Sequence, residues 1–123
     1  MTRRVAITGI GVISPLGNDV ASTWQQLLKG HSGIAPIQQF EASHFPTTIA
    51  AEVKQFSPIF TRQKKHTRFA VNFTRFALEA AWQAFDDAGI MPTPSTDKRW
   101  GVVAGSGMMT AEFEFLHNFQ RHC

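Results

Sequence analysis

The chain has 123 residues, 43% hydrophobic and 17% charged, a globular balance that excludes a disordered polypeptide. Its nine Gly and six Pro follow no period, which excludes a collagen-like repeat, and its single Cys, Cys123, excludes an internal disulfide framework and fits a reducing compartment. The formal charge of +3 is a mild excess, gathered at Arg62, Lys64, Lys65, His66 and Arg68 with no acid among them.

Arg3 and Arg4 precede the apolar run Val5 to Ile13, but this is no signal or membrane segment. A span needs about 20 apolar residues. Gly9 and Gly11 interrupt the run, and Pro15 and Gly17 stand where a cleavage site would be. Val5, Ile7, Thr8, Ile10, Val12 and Ile13 are β-branched, so the run predicts a strand apolar on both faces, like a parallel strand covered by helices above and below. With no spanning segment elsewhere, the expected location is the cytoplasm.

Ser14-Pro15-Leu16-Gly17 predicts a turn, and Asn18 or Asp19 an N-cap, for a helix from about Val20 to Lys29. Val20, Trp24, Leu27 and Leu28 share one face of it, and Gly30 suits the left-handed position past its end. His31 to Thr47 reads as loop, Thr48 to Val53 as a short strand, and Ser57-Pro58 as a cap with proline at the first helical position.

A helix from about Thr67 to Ala88 is the most informative segment. Arg68, Asn72, Arg75, Glu79, Gln83 and Asp86 recur at steps of three and four as one narrow polar stripe, and Phe, Trp, Leu and Ala occupy the rest of the circumference. Such a helix belongs inside a large assembly. Gly89 ends it, and Met91 to Asp97 is a surface loop. Trp100 to Ala104 predicts a second apolar strand running into Gly105-Ser106-Gly107, and a last helix begins near Thr110. Two strands that read as buried need neighbours, and the long helix has more apolar face than this chain can cover. The expectation is a fragment, or a chain that folds only with others.

Several motifs fall short of the chemistry they suggest. Gly9-Ile10-Gly11 follows a strand like a dinucleotide fingerprint, but Ser14 replaces the third glycine and no acid follows about 20 residues on. Ser106 sits where a nucleophile elbow would, but Met108 replaces the small residue required two positions later, and His117 or His122 with an upstream acid would give the wrong chain order for an α/β-hydrolase. Glu114 and His117 have di-metal spacing without the second pair that such sites need. Cys123 has no following turn to activate it. No cofactor or metal is expected. The basic run reads as a solvated surface or as a docking patch for an acidic partner; zinc-finger spacing, a basic heptad helix and an RNP-like motif are all missing, so nucleic acid is not the expected partner.

The run Val5-Ala6-Ile7-Thr8-Gly9-Ile10-Gly11-Val12-Ile13-Ser14-Pro15-Leu16-Gly17-Asn18 resembles the start of the β-ketoacyl-[acyl carrier protein] synthases, in particular the type II elongating enzymes. The likeness continues through Trp24, Leu27-Leu28, Gly30, Ser32-Gly33-Ile34, Asp87-Ala88-Gly89 and Gly105-Ser106-Gly107, and covers essentially the whole chain. It implies an α/β fold of the thiolase-like layered αβαβα type, built from two similar halves, with residues 1–123 as most of the first half and an incomplete domain.

The resemblance also implies an acyltransferase of fatty acid or related polyketide or polyene biosynthesis, which condenses an acyl chain with malonyl-acyl carrier protein and releases CO₂. The family's acyl-accepting Cys, its two His and its assisting Lys match no position here, so no catalytic residue is assigned, and the isolated chain is expected to be inactive. Gly107 and Met108 fall at the family's acyl-pocket gate, and Lys65 and Arg68 where its members present cations to the acidic acyl carrier protein. Met109-Thr110 replace a frequent Gly-Gly, and Phe69 replaces another cation. The expected assembly is a homodimer, or a heterodimer with a related synthase, with no membrane insertion. Two rivals stay open: a non-catalytic chain-length-factor-like partner of the same fold, and a small serine hydrolase using Ser106.

Overall fold

The computed structural model describes residues 3–59, 70–91 and 93–107. In chain order its elements are helix α1 (Val20–Leu28), strands β1 (Ala35–Pro36) and β2 (Ile49–Ala50), helix α2 (Asn72–Ala88) and a 3-10 turn at Asp97–Arg99.

Helix α1 starts where its capping chemistry dictates. Asp19 is the N-cap, and its carboxylate accepts the Ser22 N–H at 2.7 Å. Gly30, with φ of +68°, follows the end in the left-handed conformation. The inward side of α1 is polar: the Thr23 hydroxyl lies 3.0 Å from the Ser14 hydroxyl and donates to the Gly17 carbonyl at 3.3 Å. Trp24, Leu27 and Leu28, expected to face a core, are each more than half exposed.

The stretch from His31 to Thr47, expected to be loop throughout, contains β1. It pairs antiparallel with β2 in the register Ala35↔Ala50 and Pro36↔Ile49. Glu52 staples the connection, its two carboxylate oxygens accepting the N–H groups of Gln38 and Gln39 at 3.1 and 3.3 Å. Within it Ala42 is buried, beside the edge-on pair Phe40 and Phe45.

Helix α2 ends at Gly89, with φ of +63°, as expected. The residues expected to begin it, 67–69, lie outside the described residues, as does the helix expected after Thr110. Its polar stripe is divided: Asn72 and Asp86 are exposed, whereas Glu79 and Gln83 are drawn in. Glu79 is buried at 4% exposure and accepts the Ile59 N–H at 3.0 Å, and Gln83 and Asp87, one and two turns on, hold the N-terminal segment. Phe76 packs edge-on against Phe56 at 4.7 Å between ring centres, and Phe85 meets Trp100 at 5.4 Å.

The N-terminal segment runs along α2 in an extended course. Asp87 accepts the Ile10 N–H at 2.9 Å and Gln83 the Val12 N–H at 3.1 Å. Two residues of the segment thus cover four of the helix, about 6 Å, which is a strand-like rise of about 3 Å per residue. Neither this segment nor residues 100–104 belongs to a sheet: the one strand pair among the described residues is β1–β2. The two expected parallel strands are therefore unladdered. Val5 and Ile7 are 93% and 85% exposed, and Val102 and Val103 93% and 101%. The physical reason is the absence of neighbours that a two-sided strand requires.

Candidate functional site

The N-terminal motif closes into a hub rather than a ligand loop. Ser14 and Gly17 exchange backbone hydrogen bonds at 2.9 and 3.2 Å, and a side chain at Gly17 would collide with Ser22. Gly33 lies close beneath Pro15. Asn18 reaches across with its amide, donating to the carbonyls of Lys54 and Gln55 at 3.0 and 3.2 Å, and Gln55 itself adopts a positive φ of 50°. The Gln83 amide donates to the Asn18 carbonyl at 2.7 Å. Gly9 and Gly11 press on α2, where a Cβ would overlap the carbonyls of Ala84 and Ala80 respectively. Gly9 and Gly11, whose spacing fell short of a dinucleotide fingerprint, are close-approach residues.

A cleft of about 670 Å³ opens beside this hub, with Ile10, Phe56 and Trp82 as apolar wall and Asp19, Asp86 and Asp87 among its polar lining. Ser57 also lines it, and among the described residues no group of three His, Cys, Asp or Glu is placed to hold a metal. Its carboxylates act on backbone N–H groups: Asp19 caps α1 and Asp87 holds Ile10.

Of the residues singled out from sequence, Gly107 is described. It is exposed, and a side chain there would meet nothing within 4 Å. Ser106 donates its hydroxyl to the Gly107 carbonyl at 3.1 Å and has no His or carboxylate partner among the described residues. Met108, Lys65 and Arg68 lie outside the described residues, as do Glu114, His117, His122 and Cys123. Of the acyl-pocket and docking candidates, Gly107 is thus the one that falls among the described residues.

Sequence reasoning missed Gln83 and Asp87 as clamps on the N-terminal segment. Their signal was present as the four-residue spacing Glu79, Gln83, Asp87, but the polar stripe was expected to continue through Asp86. Glu52 was missed as well: a lone glutamate in a short strand carries no pattern.

The family model of the beta-ketoacyl synthase N-terminal domain matches residues 2–122. The chain belongs to the β-ketoacyl synthase family. This β-ketoacyl synthase chain is 50% identical over 106 residues to 3-oxoacyl-[acyl-carrier-protein] synthase 2 of Coxiella burnetii (strain RSA 493 / Nine Mile phase I), covering 86% of the chain and 26% of that relative. The enzyme of the same name from Vibrio harveyi is 42% identical over the same shares, and that of Staphylococcus aureus (strain COL) is 40% identical over 94% of the chain and 28% of the relative. Among solved structures, the ishigamide ketosynthase/chain length factor superposes with a TM-score of 0.52 at 32% identity, covering 69% of this chain and 21% of that one. The chain thus spans about a quarter of the length of the curated relatives it matches. Among the described residues no helix is long and apolar enough to cross a membrane.

Proposed function

We propose that the protein to which this chain contributes is an elongating 3-oxoacyl-[acyl-carrier-protein] synthase. It joins an acyl chain to malonyl-acyl carrier protein by decarboxylative Claisen condensation in fatty acid or related polyketide or polyene biosynthesis. The observation that carries this reading is the 50% identity to 3-oxoacyl-[acyl-carrier-protein] synthase 2, together with the family match over residues 2–122. In the proposed reaction an acyl thioester forms on a cysteine, loss of CO₂ from the malonyl group leaves an enolate, and the enolate carbon attacks the thioester carbonyl and expels the thiolate. A covalent intermediate and a stabilised enolate divide a hard carbon–carbon bond formation into easier steps.

This chain contributes structure to that reaction and no reacting group. Its proposed roles are an acyl-pocket wall at Gly107 and Met108, where an unbranched thioether adapts to chains of different shape, and carrier-protein docking at Lys65 and Arg68. The thiolase-like layered αβαβα architecture, a homodimer or heterodimer, and a cytoplasmic location belong to the same proposal. The test supplies full-length protein with acyl- and malonyl-acyl carrier protein and measures CO₂ release and the 3-oxoacyl product. Product from the full-length protein, with none from residues 1–123 alone, is expected; a full-length protein that neither condenses nor takes up the acyl group overturns the reading.

A second reading is favoured by one observation: the solved neighbour is a ketosynthase/chain length factor. If this protein is the non-catalytic partner, it will lack a cysteine at the strand-to-helix turn that follows in its relatives, and will support condensation only when mixed with an active subunit.

A further inference from the structure

We infer that Glu79 is a positioning residue for carrier-protein docking: its buried carboxylate fixes the chain at Ile59, three residues ahead of the basic run that starts at Arg62. Lys65 and Arg68, on whose proposed role this inference rests, lie outside the described residues.

Burial singles Glu79 out. It is 4% exposed, and the proposed condensation does not use it. Taking a carboxylate out of water is costly unless the group is hydrogen-bonded or paired. Phe56, Ile59 and Trp82 line the same cleft as Glu79. A leucine would pack in such surroundings without that cost, so packing does not account for a glutamate. The carboxylate accepts the Ile59 N–H at 3.0 Å, a charge-assisted bond to one particular backbone group.

The course of the chain gives that bond its effect. Asn18 holds the carbonyls of Lys54 and Gln55, Phe56 packs on Phe76, and Ile59 is held by Glu79. Residues 56–59 therefore advance along α2 toward its C-terminal end. The chain next enters α2 at Asn72, seven residues before Glu79 and about 10 Å back along the axis. It leaves Ile59 heading away from the point it must reach, and the basic run belongs to the residues that make the return. Glu79 provides the last hold before Arg62 among the described residues. Without it the last hold is at Phe56, and the return starts from a longer, less directed segment. Its cations must then be ordered when the carrier protein binds, at a cost in affinity.

The test uses the full-length synthase with malonyl-acyl carrier protein and with malonyl-pantetheine, the acyl thioester saturating throughout. Glu79→Ala should raise KM for the carrier-protein substrate about fivefold, leave kcat within about twofold and leave KM for malonyl-pantetheine unchanged. Glu79→Gln keeps an oxygen acceptor for the Ile59 N–H and should stay near the unsubstituted protein. Glu79→Asp keeps the charge, draws the acceptor back by a methylene and should side with alanine; this pair decides the matter if Glu79→Ala does not fold. Lys65→Glu should do less harm in the Glu79→Ala protein than in the unsubstituted one, because a cation already out of place has less to lose. A lowered kcat, or KM raised alike for both substrates, is a general structural role and overturns the inference. So do equal effects of Glu79→Gln and Glu79→Asp, and strict additivity with Lys65→Glu. Normal carrier-protein binding by Lys65→Glu overturns the docking reading and the inference with it. Weakened binding by Lys65→Glu beside normal binding by Glu79→Ala overturns the inference alone.

Discussion

The side-chain carbonyl of Gln83 accepts the Val12 N–H at 3.1 Å, while its amide group donates to the Asn18 carbonyl at 2.7 Å. One side chain near the middle of α2 thereby fixes both ends of the N-terminal turn. Gln83→Ala leaves two part-buried backbone groups without partners and should destabilise the fold by about 1–3 kcal/mol. Gln83→Glu keeps the acceptor, loses the donor and should fall between. A urea midpoint unchanged by Gln83→Ala would show that the bridge contributes nothing.

Gly11 and Gly101 offer a contrast within one chain. A Cβ at Gly11 would overlap the Ala80 carbonyl, which belongs to the helix backbone and cannot swing aside, whereas a Cβ at Gly101 meets nothing within 4 Å. Gly11→Ala should therefore lift the segment from α2 at a cost of about 1–3 kcal/mol or more, lowering the thermal midpoint. Gly101→Ala should be close to neutral in the same measurement.

Asp19 holds the Ser22 N–H at 2.7 Å as the N-cap of α1. Asp19→Ala should cost about 0.5–2 kcal/mol, and Asp19→Asn much less, because Asn keeps the acceptor. Far-ultraviolet circular dichroism through the urea transition measures both. Equal losses would mean that charge, not the hydrogen bond, stabilises the helix start.

Glu41 accepts the Ser43 N–H at 3.0 Å, and that bond, then the Ser43 hydroxyl, holds its carboxyl below the usual 4.5. A depressed carboxylate favours the folded state above the unfolded pKa, and its contribution is lost as pH falls through the folded value. The loss should therefore lie below pH 4.5. The Glu41 carboxyl followed by NMR should titrate under that value, and Ser43→Ala should return it part of the way. A titration at or above the usual value in the unsubstituted chain would remove the effect.

Lys65 and Arg68 are proposed to meet the acidic carrier protein. In the full-length synthase Lys65→Glu should slow association with carrier protein about tenfold at low salt, and the difference should shrink as salt is raised. Surface plasmon resonance at two ionic strengths measures this. Equal association rates at low salt would remove Lys65 from the docking surface.

Local chemistry explains why parts of the fold were legible before any coordinates. Asp19, Gly30 and Gly89 act within a few residues of their own position, so the ends of α1 and the end of α2 follow from capping preference and glycine's access to positive φ. The two-residue strand Ala35–Pro36 was not legible, because its pairing and the Glu52 staple are made by residues 13 to 15 positions away that carry no period. The polar stripe of α2 was visible, but its direction was not. Periodicity says which residues share a face; only packing says what that face meets.

By itself, the sequence determined the family, the capped helices and the two-sided apolar character of residues 5–13 and 100–104. The motif Val5 to Asn18 is long enough for that, and strand apolarity is a property of composition. Only the tertiary structure decided that α2 is the element Gly9 and Gly11 make room for, that Glu79, Gln83 and Asp87 hold backbone N–H groups of other segments, and that residues 5–8 and 101–104 stay open. Each of these depends on contacts between segments 20 to 77 positions apart, or on neighbours that a ladder requires, and neither is written in the local order of residues.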